Sequence, residues 1–228
     1  MAAKITATKP VMKIVLTADG SHTIFVPELD EHYHSVYGAA GESQFIYIRT
    51  GFEFCTACPV RIFEAGFGTG LNAFLTAIAS LTSGRSVNYT AVEKYPLPAD
   101  IIRKLNYKEF AGKEYSQMFD LIHQAEWDVP VMIHDRFIVT KRKLDLIWDT
   151  PEGEFDLIYF DAFGPDKQPE MWTDEVFRKI SAITARKGVF VTYSAKGMVR
   201  RMLKMNGFDV SLLPGPPGKR QITRAVKI

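Results

Sequence analysis

"VRIFEAGFGTGLNAFLTAIASL", residues 60–81, decides how this chain folds. An apolar run ends in Glu64, three glycines follow at alternate positions, and apolar residues then recur at helical spacing. Strand, tight turn and helix in that order describe the first β-to-α crossing of an α/β sheet. Glycines at such a crossing permit backbone angles closed to other residues and let a ligand touch the main chain.

Working outward, residues 13–54 alternate polar and apolar side chains, as in "KIVLTADGSHTIFV" and "QFIYIRTG". With "ADG" as a turn signal, they predict a small β extension over 1–58, ahead of a core domain over 59–228. Downstream, "VNYTAVE", "RFIVT", "FDLIYFDAF" and "GVFVTYS" read as strands, separated by helical stretches near 101–104 and 108–124. Thr173 caps a further helix whose first turn holds Asp174 and Glu175, suiting the positive end of the helix dipole. A last helix over 195–205 closes at Asn206-Gly207, and "FDVSLL" and "ITRAVKI" finish the chain as strands joined by "PGPPGKRQ". The expected fold is therefore α/β: a Rossmann-like, doubly wound, mostly parallel sheet with an antiparallel C-terminal strand.

Composition narrows the class. Of 228 residues, 46% are hydrophobic and 24% charged, the balance of an ordinary globular protein with a real core. No apolar run approaches the roughly 20 residues of a membrane span. Residues 1–10 carry no secretory pattern and two cysteines make no disulfide framework, so a cytoplasmic protein without a membrane association is expected. Net charge is only +2, but its distribution is uneven. From Lys196 onward eight basic residues face one acid, Asp209, and Arg136, Lys141, Arg142 and Lys143 form a second cluster. Such clusters either follow a phosphate backbone or are solvated faces.

Three ligand loops compete for the glycines. A P-loop needs Gly-Lys-Ser/Thr, whereas Gly70 precedes Leu71-Asn72. The dinucleotide fingerprint is G-x-G-x-x-G, whereas Gly66, Gly68 and Gly70 are spaced G-x-G-x-G. The spacing instead resembles the first motif of S-adenosylmethionine-dependent methyltransferases. In that reading Glu64 meets the amino group of the ligand, and Glu93, ending the next strand, accepts both ribose hydroxyls. Thr140-Lys141-Arg142 stand where an adenine contact belongs, and Asp145 lies further on. Asp161 ends the fourth strand, where a carboxylate can orient an amine nucleophile and take its proton.

"YFDAFGPDKQPEMWTDEVF", with "EAGFGTGLN", "VEKYPL" and "SAKGMVRRMLKMNGF" leading to "GKR", resembles the methyltransferase module of the bacterial MnmC family. The likeness runs from about Glu31 to the C-terminus, and "EHYHSVYGAAGESQFIYI" resembles the leading segment of stand-alone members. It implies a class I methyltransferase that converts 5-aminomethyl-2-thiouridine at the tRNA wobble position to 5-methylaminomethyl-2-thiouridine. The oxidase domain of bifunctional members is not expected, so upstream enzymes acting on the same tRNA would supply the amine. By this resemblance Glu64, Gly66, Phe67, Gly68, Thr69, Gly70, Glu93, Lys94 and Asp161 bind S-adenosylmethionine, and Asp161 is also the catalytic acid. Phe163, Pro165, Met171 and Trp172 would shape the nucleobase pocket. Lys196, Arg200, Arg201, Lys219 and Arg220 would face tRNA.

Rival readings are an aminopropyltransferase or small-amine methyltransferase, and a non-catalytic RNA-binding protein. No metal is expected. His32 and His34 in "EHYH" lack an evident third ligand, and Cys55 and Cys58 lack a second C-x-x-C pair. Trp127 and Trp148 are expected to pack locally.

Overall fold

A computed structural model describes residues 12–228; residues 1–11, with the reading of 1–10 as leaderless, lie outside the described residues. Strands β1 (Lys13–Leu16), β2 (His22–Val26) and β3 (Glu31–His32) form a small antiparallel sheet. Its first turn is the "ADG" tripeptide, where Asp19 Oδ1 accepts the Ser21 amide at 3.0 Å. Eight further strands form the central sheet: β4 (Val60–Ala65), β5 (Val87–Glu93), β6 (Pro130–His134), β7 (Phe137–Lys143), β8 (Phe155–Phe160), β9 (Thr184–Thr192), β10 (Phe208–Pro214) and β11 (Gln221–Lys227). Their spatial order is β10-β11-β9-β8-β4-β5-β7-β6.

Five central strands are parallel, β7-β5-β4-β8-β9, and β11 runs antiparallel to both β9 and β10. The chain winds from β4 outward through β5 and β7, then returns to β8 and winds the other way. The carboxyl ends of β4 and β8 therefore flank the switch point, where ligands bind in such sheets. The Asp161 amide donates to the Ala65 carbonyl at 3.0 Å, carrying the β4–β8 ladder right up to it.

Helices α1 (Ala39–Ser43), α2 (Leu71–Ser83), α3 (Ala99–Ile102), α4 (Tyr107–Ala111), α5 (Ser116–Gln124), α6 (Asp174–Ile183) and α7 (Gly197–Met205) complete the chain. Alternate strand residues serve opposite faces. Ile62, Leu157 and Tyr159 join one core with Phe74 of α2 and Phe119 of α5. Phe63, Ile158 and Phe160 join the other with Phe177 of α6 and Leu203 of α7. Two-sided burial is what made "IFEA" and "LIYF" nearly continuous apolar runs. Thr173 caps α6 as expected, its hydroxyl accepting the Val176 amide at 3.4 Å.

One element departs from the sequence reading. "QFIYIRTG" is helical, a π-helical segment over Gln44–Phe52 that continues α1. Ile46, Tyr47 and Ile48 are buried in succession and Gly51 and Phe52 after the exposed Arg49, so burial does not alternate along the segment. A short apolar run of that kind does not distinguish strand from buried helix. The segment lies so close to the sheet that a Cβ on Gly51 would stand 3.1 Å from both the Tyr159 ring and a Val191 methyl. The edge strand β6 was also not anticipated, and residues 108–124 split into α4 and α5 around a 3-10 turn.

Candidate active site

Each glycine of the loop answers to a neighbour. Gly66 has φ +94, and a Cβ there would sit 2.9 Å from the Asp161 carbonyl oxygen. Gly68 has φ +50 and passes under the Tyr33 ring; Gly70, at φ +71, opens α2 against His123. The loop is thus packed by the protein itself before any ligand arrives. Thr69 is clasped from both sides. His34 Nε2 lies 2.7 Å from its hydroxyl, and His123 Nε2 donates to its carbonyl at 3.1 Å. Burial lowers both imidazoles to about 4, so they act as neutral hydrogen-bonding rings at pH 7.

Below the loop lies a chain of polar groups. Asn72 Nδ2 donates to Glu64 Oε1 at 2.9 Å and to Asp161 Oδ2 at 2.7 Å. Tyr47, carried by the π-helical segment, donates its hydroxyl to Asp161 Oδ1 at 2.6 Å. Burial pushes Asp161 up to about 6, against the two donors, which pull the other way. Glu64 is fully buried and pushed well above the carboxylate range by that burial. Its second oxygen has no hydrogen-bond partner among the described residues.

A cleft of about 720 Å³ opens over these groups. Gly66, Phe67, Gly68 and Thr69 form one wall, with Glu93 and Lys94 beside them. Glu93 Oε2 accepts the Gly68 amide at 3.1 Å and Oε1 the Tyr95 amide at 2.8 Å, pinning the carboxylate to the loop. Asp145 curls back toward them. It pairs with Lys94 at 2.9 Å and lines the cleft with Leu146 and Ile147. Asp161, Phe163, Pro165 and Met171 form the opposite wall.

Several expected site residues stand elsewhere. Glu64 and Gly70 lie outside the cleft lining, and Trp172 is a core side chain, 1% exposed. Trp172 reaches the wall only through its indole N–H, which donates to the Phe163 carbonyl at 2.7 Å. Of the basic set, Lys196 and Lys219 line the cleft, and both are paired, with Asp166 and Glu42 respectively. Arg200, Arg201 and Arg220 do not line it. The guanidinium groups of Arg200 and Arg201 fold back toward Gly197, at the start of α7 beside Lys196.

Lys141 leaves the second basic cluster altogether. It is 1% exposed, donates to the His123 carbonyl at 2.8 Å and lies over the Trp127 ring; burial lowers it to about 8. Trp148 does not pack locally, being 81% exposed next to Ile147 on the cleft rim. Tyr95 and Tyr37, which line the cleft, are 72% and 60% exposed. Tyr47, Asn72, Glu42 and Tyr193 were not singled out in the sequence. Asn72 stands in "GTGLN" and both Glu42 and Tyr47 stand in "EHYHSVYGAAGESQFIYI", but nothing local in those stretches marks them as site residues. Cys55 and Cys58 are free thiols, and no group of three metal-ligating side chains forms among the described residues.

Residues 104–228 match a family described as S-adenosyl-L-methionine-dependent methyltransferase. The "tRNA 5-methylaminomethyl-2-thiouridine biosynthesis bifunctional protein MnmC" of Pseudomonas fluorescens (strain Pf0-1) is 31% identical over 212 residues, covering 86% of this chain. That alignment takes in 32% of the relative, so the chain spans about a third of the length of the curated relatives it matches. Among solved structures, MnmC2 from Aquifex aeolicus superposes with a TM-score of 0.74 at 26% identity, covering 96% of this chain and 71% of that one. Spermidine synthase from Thermotoga maritima superposes with a TM-score of 0.55 at 13% identity, covering 100% of this chain and 82% of that one, a likeness of fold alone. A glycine loop, an acid ending the second strand and an acid at the switch point, on a sheet of this order, agree with the matched family: the chain is a member of the S-adenosyl-L-methionine-dependent methyltransferases.

Proposed function

We propose that this methyltransferase acts on a primary amine carried by tRNA, the 5-aminomethyl group of the (2-thio)uridine at the wobble position, giving 5-methylaminomethyl-2-thiouridine. The observation that carries this reading is Asp161, fixed by Tyr47 and Asn72 at the switch point and open to the cleft. The name of the MnmC relative, which specifies the modified nucleoside, supports this choice of substrate.

The residues present fit S-adenosylmethionine. Each Glu93 oxygen accepts one backbone amide, which leaves a lone pair on each for two vicinal hydroxyls. Asp145, Leu146 and Ile147 offer one acceptor and two apolar side chains to an adenine ring. The cleft volume is within the range of small-molecule sites. When bound, S-adenosylmethionine supplies a methyl group on a positively charged sulfur, so that the N–C bond forms as the C–S bond breaks and its electron pair stays on sulfur.

The protein's part is alignment and proton handling. An aliphatic amine is protonated in neutral water and has no lone pair to donate. Asp161, ionised at pH 7, holds the ammonium and accepts its proton. Tyr47 and Asn72 occupy one lone pair on each carboxylate oxygen, leaving the others for the substrate. Phe163, Pro165 and Met171 line the wall on which a nucleobase rests.

The rim favours a nucleic acid over a free small amine. Tyr37, Tyr95 and Trp148 present exposed rings, as recognition of splayed RNA bases requires. Arg201, Lys204 and Arg220 are exposed and form no ion pair among the described residues. Among the described residues no helix is long and apolar enough to cross a membrane. A tRNA substrate places the reaction in the cytoplasm, downstream of enzymes that install the amine. The test is methyl transfer from labelled S-adenosylmethionine into bulk tRNA, set against putrescine and other diamines, with nucleoside mass spectrometry of the product. Label in the diamine and none in tRNA would overturn the reading.

A further inference from the structure

Lys219 and Glu42 are distant in sequence and meet in the cleft wall. Lys219 lies in the loop joining β10 to β11, and Glu42 lies on α1. The Lys219 ammonium stands 3.0 Å from Glu42 Oε2 and 4.7 Å from the centre of the Tyr193 ring. Glu42 is 8% exposed, and its other oxygen accepts the Ser35 amide at 3.2 Å. The loop is pressed onto the N-terminal segment: a Cβ on Gly218, at φ +84, would fall 2.2 Å from the Tyr37 ring. A carboxylate this buried is costly without a cation, and Lys219 is the one that meets it.

Both side chains share the cleft with Asp161. The titratable groups acting with Asp161 are Tyr47 on the π-helical segment, Glu64 on β4, Tyr193 after β9, Tyr89 on β5, Tyr107 on α4 and this pair. The two phenols nearest in role, Tyr47 and Tyr193, are driven upward by burial and stay neutral. Burial likewise raises the proton affinity of Glu64, and the nearby Asp161 charge adds to it. Glu42 and Lys219 then act on Asp161 in opposite directions, the carboxylate raising its pKa and the ammonium lowering it.

We propose that Glu42 and Lys219 form a charge clamp for the methylation site, a positioning pair that tunes the ionisation of Asp161. Lys219 is therefore an active-site residue and not a phosphate contact. The clamp rests on the amine-methylation reading for its purpose, but its operation is measurable without any substrate. Its sign is fixed by Coulomb's law. Removing the cation disfavours the Asp161 carboxylate and raises its titration midpoint, removing the Glu42 anion lowers it, and removing both cancels.

The experiment titrates the Asp161 carboxyl by 13C NMR in the full chain, with Asp161→Asn assigning the signal. Four proteins are compared: wild type, Lys219→Met, Glu42→Gln and the double variant, with Lys219→Arg as a charge-preserving control. We expect Lys219→Met to move the midpoint up by about half a pH unit or more, and Glu42→Gln to move it down. The double variant and Lys219→Arg should return close to wild type. The acid limb of kcat/KM on tRNA should follow the same order, with S-adenosylmethionine affinity unchanged. Identical midpoints in all the folded proteins would overturn the clamp. So would an unmoved midpoint in Lys219→Met together with a shallower salt dependence of tRNA binding, because Lys219 would then be touching phosphate. A shifted midpoint with no methylation of tRNA by any of the proteins would keep the clamp and sink the tRNA reading.

Discussion

Asp161 is held where water is scarce, and the molecule is less stable for it. Its folded pKa, about 6, lies above the ordinary carboxylate value, so the folded state binds the proton more tightly than the unfolded one. Stability from this group is fully present below about pH 4 and is lost as pH rises through 6. Asp161→Asn should therefore unfold at a higher urea midpoint than wild type at pH 7.5, with the gap closing near pH 4; equal midpoints at both pH values would contradict a raised pKa. The same variant should lose about 100-fold or more in single-turnover methylation while binding S-adenosylmethionine almost normally. Glu93→Ala should do the reverse, costing about 2 kcal/mol of cofactor affinity, roughly 30-fold, by calorimetry. Unchanged affinity in a folded Glu93→Ala protein would remove Glu93 from the ribose. The placement of Asp161 and Glu93 at the cleft was legible in the sequence because each stands at the end of a strand, and a strand end is a local pattern. Lys141 and Lys219 were not, because whether a lysine faces solvent, an aromatic cage or a buried carboxylate is decided by residues far away in sequence.

At the scale of elements, the Asp161 carboxylate depends on a helix that the period-2 pattern disguised. The π-helical segment brings Tyr47 to Asp161 and rests on the sheet at Gly51. π-helical geometry is uncommon and recurs at functional sites, where it re-aims a side chain. Gly51→Ala inserts a methyl 3.1 Å from the Tyr159 ring and a Val191 methyl, both buried and unable to retreat far. It should cost about 1–3 kcal/mol in urea unfolding. Methylation should fall more than that stability loss accounts for, since the Tyr47 hydroxyl shifts with the segment. Wild-type stability and rate in Gly51→Ala would mean the segment is looser than its packing indicates. The glycine loop and its flanking strands were readable because crossing turn, glycines and acid lie within a few residues. Tyr47 was not, since its hydrogen bond to Asp161 spans 114 residues.

At the scale of the whole molecule, the cleft is roofed by pieces from both ends of the chain. Tyr33 lies over the glycine loop and edge-on to Phe163, while the loop before β11 leans on Tyr37. Charges that the linear sequence grouped as one basic surface are divided by this folding. Lys196 and Lys219 turn into the cleft and find carboxylates, whereas Arg201, Lys204 and Arg220 remain outside it. Two kinds of variant should then separate the contributions to tRNA binding. On the tRNA reading, Arg201→Ala/Lys204→Ala takes away cations proposed to neutralise phosphates, whose binding free energy comes from counterion release. The logarithmic salt slope should become shallower by about 0.7–0.9 for each phosphate no longer neutralised. On the same reading, Trp148→Ala removes an exposed ring beside the cleft and the uncharged stacking it would offer a base. Its affinity should fall about tenfold, within the ~1–3 kcal/mol range for a stacked base, with the salt slope left where it was. Neither change touches Glu93 or Asp161, so S-adenosylmethionine affinity stays constant in both. Filter binding of one tRNA across a series of salt concentrations measures both quantities at once. A Trp148→Ala protein with full affinity would take this ring out of RNA recognition, and an unaltered slope in the double variant would send the phosphate path elsewhere than α7.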